Sequence, residues 1–520
     1  MWVINATRAL SLFHSRQGRD LAPSSSGAPH SSPDEAGGEE RRRTRSVRRG
    51  SRGVVVPTPT AGPEGPPRST VPRLDVLVLG LNYAPETTGI APYTTGMARA
   101  LADAGHDVHV VTGLPHYPQW RVAPGYRGLK LRHEERDGDV RVTRVRHPIP
   151  ARPTGVGRVV MEAAFALATA TVRHRRPDVV IAVSPALLTV AAALARRGRP
   201  GRGGRPAVGV VVQDLYGSVV AEAGVLGGRG GGAVAALERA LLRRADGVAA
   251  VHEVFRAGLT RSAVRAEAVS VIRNWTHVGR PTGCPTRLRE TLFWPAEHTV
   301  ALHAGNMGAK QNLENVVEAA RLAQARDLPV TFVLLGAGNQ RHRLLELAAG
   351  CDRLRFADPL PDGEFETALA AADVLLVNER PSISEMCVPS KLTSYFAAGR
   401  PVVAATSASS PAAREVSAAG AGIVVEPGRP ELLLEATVAL GMGGAEAAEH
   451  LGGHGRRYAA TRCSAAAPRR AYTAWVATLG LLRSGRSAPA LPLGVPAVPV
   501  DQPAPGGLLA LRRRKRRTVA

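Results

Sequence analysis

The sequence of 520 residues is long enough for two or three domains with a sizeable buried core. Its 44% hydrophobic content is ordinary for a globular enzyme, and its 4 cysteines form no CxxC pair, which argues against a zinc site or a disulfide framework. No run of about 18 apolar residues occurs, and no basic region precedes an apolar core at the start, so we expect neither a transmembrane helix nor a signal peptide and place the protein in the cytoplasm.

Positive charge, +24 in all, is densest in two arginine-rich runs at residues 41–49 and 512–517. Three interpretations compete: solvated tails, attachment to anionic lipid on the inner face of the plasma membrane, and nucleic-acid binding. No zinc finger, RNP-like segment or set of stacking aromatic residues accompanies the arginines, so nucleic acid ranks last among the partners.

The first 73 residues are rich in Ser, Pro, Gly and Arg and have no sustained periodicity, so we expect a disordered tail over 1–73. A first folded domain, an N-terminal Rossmann-like unit, is predicted over residues 74–275. Short apolar runs mark its strands, and helical stretches separate them. The expected elements are strands at 74–80, 107–112, 179–183 and 207–212 and a helix at 91–104.

A polar linker, residues 276–298, precedes a second domain at 299–464 in which the same alternation restarts. The fold class is therefore α/β, with two doubly wound Rossmann-like halves that face a cleft. Ligands of such sheets bind beyond the carboxyl ends of the strands, so the cleft is the expected site. The Pro-rich residues 487–520 are expected to form a disordered basic tail. The expected elements are strands at 299–303, 330–335, 374–377, 401–404 and 422–425 and helices at 312–326, 341–349, 365–372 and 392–398.

The strand-to-helix junction at residues 300–310 carries the first candidate site. Gly305 lets backbone N–H groups approach a phosphate, the helix N-terminus adds favourable polarity, and Lys310 adds a full charge. A plain turn with an exposed lysine is the alternative. Gly336 opens a weaker GxG turn after another predicted strand.

A second junction, residues 385–391, lies before another predicted helix. Pro389 and Ser390 are expected at the start of this helix, with Lys391 in its first turn. Lysine is not the favoured charge there, because the helix dipole prefers anions, and a bound diphosphate would resolve that conflict. A lysine that points to water is the alternative. Two such loops, each with one lysine, predict a cleft that grips a diphosphate.

Several segments in matching order resemble one family, the GT-B glycosyltransferases of family 4. The likeness is to its exopolysaccharide branch, typified by the colanic-acid biosynthesis enzymes, and it spans about residues 74–480. The segments at 373–377 and 388–403 resemble the nucleotide-sugar motif, and the one at 305–314 is similar to the diphosphate loop. The segments that narrow the resemblance to this branch are 82–93, 112–118 and 213–216.

The resemblance implies that a sugar is transferred, with retention of configuration, from a nucleotide-diphosphate donor to an acceptor. The donor would lie on the C-terminal domain and the acceptor on the N-terminal domain, with no metal or other cofactor. A glycan, in this branch one linked to polyprenyl diphosphate, is the implied acceptor. Lys310 and Asn306 would contact the diphosphate, with Lys391 beside it. Gly89 would let the donor pack against backbone, and His116 would lie near the transferred sugar, unless it is a turn histidine packed between prolines.

One departure from the family pattern concerns the ribose of the nucleotide. Many relatives carry a pair of glutamates, the second of which binds the ribose. Alignment on residues 399–401 places Met386 and Ser394 at the two positions, with Glu385 one residue away. The ribose contact and the nucleotide base therefore stay open. The family also implies a final helix, within 465–486, that packs back on the first domain.

Two rival functions remain. A sugar-nucleotide epimerase shares the architecture and would need acid and base carboxylates in the cleft, and the Pro-Ser-Lys segment argues against it. A degenerate transferase that only binds a nucleotide sugar is the second, suggested by Ser394. The apolar stretch 159–170 adds a further pair of alternatives, because it is either a buried core helix or, with the basic tails, part of an attachment to an anionic membrane surface.

Overall fold

A computed structural model describes residues 72–483 of the chain, except for 129, 152–154, 175, 198–203, 216–226, 277–278, 362 and 382–389. Both expected tails and Pro389, Glu385 and Met386 therefore lie outside the described residues. Within the described part, two mainly parallel sheets are each flanked by helices on both faces, so the α/β class with two doubly wound halves is confirmed.

The first sheet has eight strands in the order β3-β4-β2-β1-β5-β6-β7-β8, all parallel except β3, which pairs antiparallel with β4. The strands are β1 Asp75–Leu79, β2 Asp107–Gly113, β3 Arg132–Asp137, β4 Val140–Val145, β5 Val179–Ser184, β6 Ala207–Val212, β7 Gly247–Ala250 and β8 Val269–Val271. The helices of this half are α1 Ala91–Asp103, α2 Gly155–Ala170, α3 Leu187–Ala195, α4 Gly227–Leu242 and α5 Glu253–Arg261.

The second sheet has six parallel strands in the order β11-β10-β9-β12-β13-β14. The strands are β9 Thr299–Ala304, β10 Val330–Leu335, β11 Leu354–Ala357, β12 Val374–Asn378, β13 Val402–Ala405 and β14 Gly422–Val425. The helices that follow the first domain are α6 Pro285–Thr291, α7 Glu314–Ala325, α8 Arg341–Leu347, α9 Glu364–Ala371, α10 Lys391–Ala398, α11 Pro411–Ala419, α12 Pro430–Met442, α13 Gly444–Arg462 and α14 Ala466–Arg483.

The central strands are buried on both faces, which explains why they are apolar throughout rather than alternating. In β1, Leu77 and Leu79 join the core on one face of the first sheet, while Val76 and Val78 join the core on the other. The strands β5, β6 and β10 are buried at every position. Helices must therefore cover both faces, and this leaves the carboxyl edge of each sheet open to a ligand.

The last helix, α14, packs on the first sheet rather than on the second. Its side chains Trp475 and Leu479 belong to the same buried cluster as β1 and β2. Backbone and indole approach so closely that a Cβ added at Gly209 would lie 2.5 Å from the Trp475 ring. Glycine in β6 is therefore required by this contact.

Several elements of the structure are absent from the sequence-based prediction. The hairpin β3–β4 was not predicted, because β3 consists of charged residues with alternating exposure rather than of an apolar run. The short strands β7, β8 and β11 were also not predicted. Among the described helices, none combines the length and the apolar character that a membrane span requires.

Candidate functional site

The loops that carry the predicted site residues of the second domain meet at one edge of its sheet. Strands β9, β12 and β13 are neighbours, and their carboxyl ends lead to the Gly305 loop, to Glu379 and to Thr406. Strand β10 pairs with β9 on its other side and leads to Gly336. Helix α10 begins at Lys391 after the β12 loop. The parallel order of the strands thus gathers side chains that are distant in sequence.

Gly305 and Gly336 are held against each other. Both have positive φ angles, +127° and +134°, and a Cβ at Gly336 would lie 2.1 Å from the carbonyl oxygen of Gly305. The amide of Gly305 donates to the carbonyl of Leu335 at 2.9 Å. A side chain at either position would thus be strained, and at Gly336 it would push the two loops apart. The Nζ atom of Lys391 lies 4.0 Å from where a Cβ of Gly305 would stand.

The ammonium group of Lys391 is held beside this loop by a buried histidine. Its Nζ donates to Nε2 of His303 at 3.3 Å. His303 is fully buried, and burial, together with the charge of Lys391, holds the pKa of its imidazole well below the usual range. A neutral imidazole can accept a hydrogen bond from the Lys391 ammonium group, and because it carries no charge it does not itself attract an anion bound by the lysine. The histidine therefore orients the cation.

Lys310 lies in a short 3-10 turn, Ala309–Gln311, that is fastened to the end of β12. The side-chain amide of Asn378 donates to the carbonyl of Gln311 at 2.7 Å, and the backbone amide of Arg380 donates to the carbonyl of Lys310 at 3.0 Å. The guanidinium of Arg380 also donates to the carbonyl of Ala309 at 2.6 Å. The turn that presents Lys310 is thus fixed from the neighbouring strand.

Glu379 interacts electrostatically with both lysines, and the sequence analysis did not single it out. Its carboxylate accepts a short hydrogen bond from the Thr406 hydroxyl. Burial raises the pKa of Glu379, while the Thr406 hydroxyl and the charges of Lys391 and Lys310 act in the opposite direction. One signal could have found it. Glu379 is an acidic residue directly after an apolar strand, and ligands of parallel sheets bind where the strands end.

The other predicted donor residues lie at the same edge. Asn306 is exposed in the Gly305 loop. Ser390 directly precedes α10, and its carbonyl accepts from the Thr393 hydroxyl at 2.8 Å. Ser394 is buried one turn into α10. Next to it, the Tyr395 hydroxyl accepts from the amide of Ala304 at 2.9 Å and so fastens α10 to the end of β9.

His116 and Gly89 lie at the carboxyl edge of the first sheet, in the loops after β2 and β1. His116 is buried, and its Nδ1 donates to the carbonyl of Leu114 at 2.8 Å. A single carboxylate oxygen of Glu86 accepts from the backbone amides of His116 and Tyr117 at 2.7 and 2.8 Å. Gly89 has φ +67°, and a Cβ there would lie 3.0 Å from the ring of Tyr117. Glu86 is a second residue that the sequence analysis did not single out, and its hydrogen bonds fix the backbone of the loop at His116 and Tyr117.

A buried charge cluster joins the two domains. Glu415 of α11 accepts from His252 at 3.2 Å and pairs with Arg273 at 2.9 Å, both from the first domain. The Tyr458 hydroxyl of α13 donates to the other oxygen at 2.8 Å. Burial opposes ionisation, but these hydrogen bonds and the charge of Arg273 prevail and lower the pKa of Glu415 to about 2. The two sheets are therefore linked through an ionised carboxylate.

The comparisons with known proteins cover both halves. Residues 88–275 match the Glycosyl transferase 4-like domain, and residues 298–441 match the Glycosyl transferases group 1 domain. Over 340 residues the chain is 32% identical to the putative colanic acid biosynthesis glycosyl transferase WcaI of Escherichia coli K12, which covers 63% of this chain and 82% of the relative. The chain is a GT-B glycosyltransferase of family 4.

Solved structures share the fold of this glycosyltransferase at low sequence identity. Sucrose-phosphate synthase from Thermosynechococcus elongatus has a TM-score of 0.56 and 20% identity, covering 79% of this chain and 98% of its own. Anabaena HepE in complex with UDP has a TM-score of 0.53 and 16% identity, covering 76% of this chain and 98% of its own. A further relative, the probable glycosyltransferase WbjE of Pseudomonas aeruginosa, is 31% identical over 129 residues, 25% of this chain and 32% of its own.

The candidate site offers two ammonium groups and the partly exposed Gly305 loop to an anion. No group of three or more His, Cys, Asp or Glu side chains in the described part of the chain is placed to hold a metal ion. The charges of Lys310 and Lys391 both act on Glu379 at this edge. Chemically, such an arrangement can take up a doubly charged diphosphate and spread its charge.

Proposed function

We propose that the enzyme moves a sugar from a nucleotide-diphosphate donor to a glycan or polyprenyl-diphosphate-linked acceptor, with retention of configuration at the transferred carbon. The observation that carries the donor assignment is that Lys310 and Lys391 both act on Glu379 at the sheet edge where the Gly305 loop is partly exposed. The names of two similar proteins, WcaI and the lipopolysaccharide enzyme WaaG, support a role in exopolysaccharide or cell-envelope synthesis.

The chemistry follows from charge. Cleavage of the sugar–phosphate bond builds positive charge on the ring and negative charge on the leaving diphosphate. Preorganised cations aimed at the leaving group stabilise that charge as it develops. Lys391 is suited to this role because neutral His303 holds its ammonium group in place, and Lys310 is suited because its turn is fastened to β12. With both charges in place, we expect catalysis without a metal ion or other cofactor.

The first domain would supply the acceptor side. His116 would face the transferred sugar from the loop that Glu86 holds, and Gly89 would let the donor approach backbone. We also propose that the cytoplasmic enzyme is peripheral to the inner face of the plasma membrane, on the basis of the +24 charge.

Turnover of a panel of nucleotide sugars, with and without lipid-linked acceptors, tests the proposal. UDP-sugars enter first, because HepE was solved with UDP. We expect acceptor-dependent transfer with loss in Lys310→Ala and Lys391→Ala. Acceptor-independent interconversion of two nucleotide sugars would instead identify an epimerase. Nucleotide-sugar binding without any turnover would identify the binding-only protein suggested by Ser394. Addition of EDTA should leave the rate unchanged.

A further inference from the structure

A pocket of about 640 Å³ opens in the first domain, away from the lysines of the donor site. It lies beside His116, since the His116 ring contacts two lining residues, Trp120 and His147, at centroid distances of 5.9 and 5.3 Å. The lining residues are Leu114, Trp120, Arg121, Val122, Arg127, Arg146, His147, Pro148, Ile149 and Ala151. The pocket is therefore next to the residue expected to face the acceptor.

The lining combines positive charge with apolar surface. Arg121, Arg127 and Arg146 contribute three guanidinium groups, and none of the described lining residues is acidic. Guanidinium groups match phosphate oxygens in geometry and charge. Trp120 forms part of the apolar wall and has φ +53°, a strained conformation for a bulky residue. Strain of this kind persists only where the surroundings impose it, and it concentrates at ligand sites.

An apolar helix face begins at the same place. Val156, Val159 and Val160 lie on one side of α2 and are 72%, 46% and 52% exposed, and Leu167 extends this stripe at 72%. The opposite side of α2 is buried in the core through Met161 and Phe165. The stretch is thus neither a fully buried core helix nor an amphipathic one, because it is apolar on both sides.

The first turn of α2 lies next to the pocket. Ala151 lines the pocket four residues before α2 begins at Gly155. The guanidinium of Arg158, in the first turn of α2, lies 5.9 Å from the centroid of the Trp120 ring. A ligand with its head in the pocket therefore has the exposed stripe of α2 as the nearest apolar surface for the rest of its length.

We propose that this pocket and the stripe formed by Val156, Val159, Val160 and Leu167 bind one ligand, an amphiphile that joins a phosphate or diphosphate group to an apolar chain and serves as the acceptor. The guanidinium groups hold the anionic head, and the stripe covers the chain. This inference rests on the proposed function. It assigns the surface to the acceptor itself rather than to bulk membrane lipid, because a concave site with three guanidinium groups and no acidic side chain among its described lining residues suits a single anionic head group.

Farnesyl diphosphate, inorganic diphosphate and farnesol serve as probes, with calorimetric titration of the full chain below the micelle concentration. We expect farnesyl diphosphate to bind at least about tenfold more tightly than either part alone. The variant R121Q/R127Q/R146Q should weaken that binding at least about tenfold. A control, R244Q/R287Q/R326Q, removes the same charge from exposed positions elsewhere and should bind as the wild type does.

A second variant separates the chain from the head. V156S/V159S/V160S should weaken binding of farnesyl diphosphate several-fold and leave binding of inorganic diphosphate unchanged. A control with equally exposed apolar residues in the other domain, L345S/M442S, should change neither. The rise in melting temperature with UDP is recorded for every variant and should be the same in all, because none of these residues lies at the donor edge.

Four results would overturn the inference. In the first, farnesyl diphosphate and inorganic diphosphate bind equally well, and in the second, UDP displaces farnesyl diphosphate. In the third, R121Q/R127Q/R146Q binds farnesyl diphosphate as the wild type does. In the fourth, that variant weakens only the binding of anionic phosphatidylglycerol vesicles. The last would show a membrane contact instead of an acceptor site. If UDP also fails to stabilise the wild type, the proposed function fails with it, whereas a normal UDP response leaves the donor site standing.

Discussion

Glu379 places a carboxylate where the proposed function puts a diphosphate. Its buried side chain faces Lys310 and Lys391 and accepts from Thr406, while Arg380 follows it in the chain. An ionised Glu379 neutralises the lysines when no donor is bound, but it repels the diphosphate of an incoming donor. Protonation of this side chain should therefore accompany binding.

We predict that Glu379→Gln binds UDP several-fold more tightly than the wild type does at a pH where the wild-type carboxyl is ionised. Burial raises the pKa of Glu379, so the wild-type carboxyl is ionised at high pH and gains a proton as pH falls through that pKa. Wild-type affinity should therefore decline as pH rises through that pKa, whereas the affinity of the variant should not change with pH over the range in which UDP itself is already ionised.

Titration calorimetry at a series of pH values measures how the affinity for UDP depends on pH in the wild type and in Glu379→Gln. Glu162→Gln is the matched control, because burial also raises the pKa of Glu162, to about 7, but in the first domain. Equal slopes for wild type and Glu379→Gln would show that the carboxyl does not exchange a proton with the site.

Lys310→Ala should lower turnover about 100-fold or more, because it removes one charge from the leaving group. Its free energy of unfolding should change by no more than about 0.5 kcal/mol, as is usual for truncation of a partly exposed side chain. Steady-state rates and urea unfolding measure the two effects. Lys130→Ala, at an exposed lysine of the first domain, is the control. A Lys310→Ala enzyme with normal turnover would remove this lysine from the site.

Gly336→Ala should destabilise the second domain and abolish nucleotide binding. The added Cβ would overlap the carbonyl of Gly305, and φ +134° is strained for alanine, at a cost of about 1–3 kcal/mol. Gly125→Ala is the control, since a Cβ there meets open space. Urea unfolding and the UDP-induced shift in melting temperature are the measurements, and an unchanged UDP shift would mean that the two loops can separate without loss of the site.

At the scale of elements, apolar runs in the sequence predicted most of the central strands of both sheets. Strands β6, β10 and β14 begin and end at the predicted residues. Strands β6 and β10 are buried at every position, and such strands are short and apolar throughout, whereas β14 is apolar but only partly buried. The β3–β4 hairpin escaped prediction because an exposed edge strand needs no apolar run. Glu379 and Glu86 escaped for another reason: a lone carboxylate acquires its role from neighbours in the sheet, and sequence spacing does not show which strands are neighbours.

A buried polar chain ties together the starts of β1, β2 and β5. Nδ1 of His109 and Nδ1 of His174 are 2.8 Å apart, and His174 bonds to Asp75 at 2.8 Å through Nε2. Burial, with the positive charges of His174 and Arg141, lowers the pKa of His109 to about 4. The folded state therefore keeps His109 neutral at a pH where an unfolded histidine is already charged.

We predict that His109 makes the fold less stable as pH falls from about 6.5 to 4.5. Below a pKa of about 6.5 the unfolded chain binds a proton that the native His109 does not, so the free energy of unfolding decreases. Glu162 acts in the opposite sense, because its raised pKa favours the folded state at low pH.

Urea unfolding of the wild type and of His109→Gln at pH 7.5, 6.5, 5.5 and 4.5 isolates the contribution of His109 to the free energy of unfolding. The variant should lose less stability across this range. Parallel curves for the two proteins would contradict the assignment.

At the scale of the whole molecule, we predict that residues 1–73 and 487–520 are dispensable for catalysis. They lack the apolar content to form a core, and no donor-site residue lies in them. A chain of residues 74–486 should fold and transfer sugar to a soluble acceptor analogue at the full-length rate. Circular dichroism and the transfer assay are the measurements. A folded but inactive product would mean that a tail completes the site.

The return of α14 to the first sheet has a consequence for biosynthesis. Trp475 and Leu479 cover Gly209 and Gly247 on one face of a sheet whose strands leave the ribosome more than 200 residues earlier. Helix α1 covers part of that face, but the part at Gly209 and Gly247 has no permanent cover until the last helix emerges, and apolar surface left open during synthesis invites aggregation. The nascent first domain must therefore wait, shielded by a chaperone or by transient contacts, while the entire second domain is translated. A premature stop before residue 466 would leave the enzyme with its donor half intact and its first half unfinished.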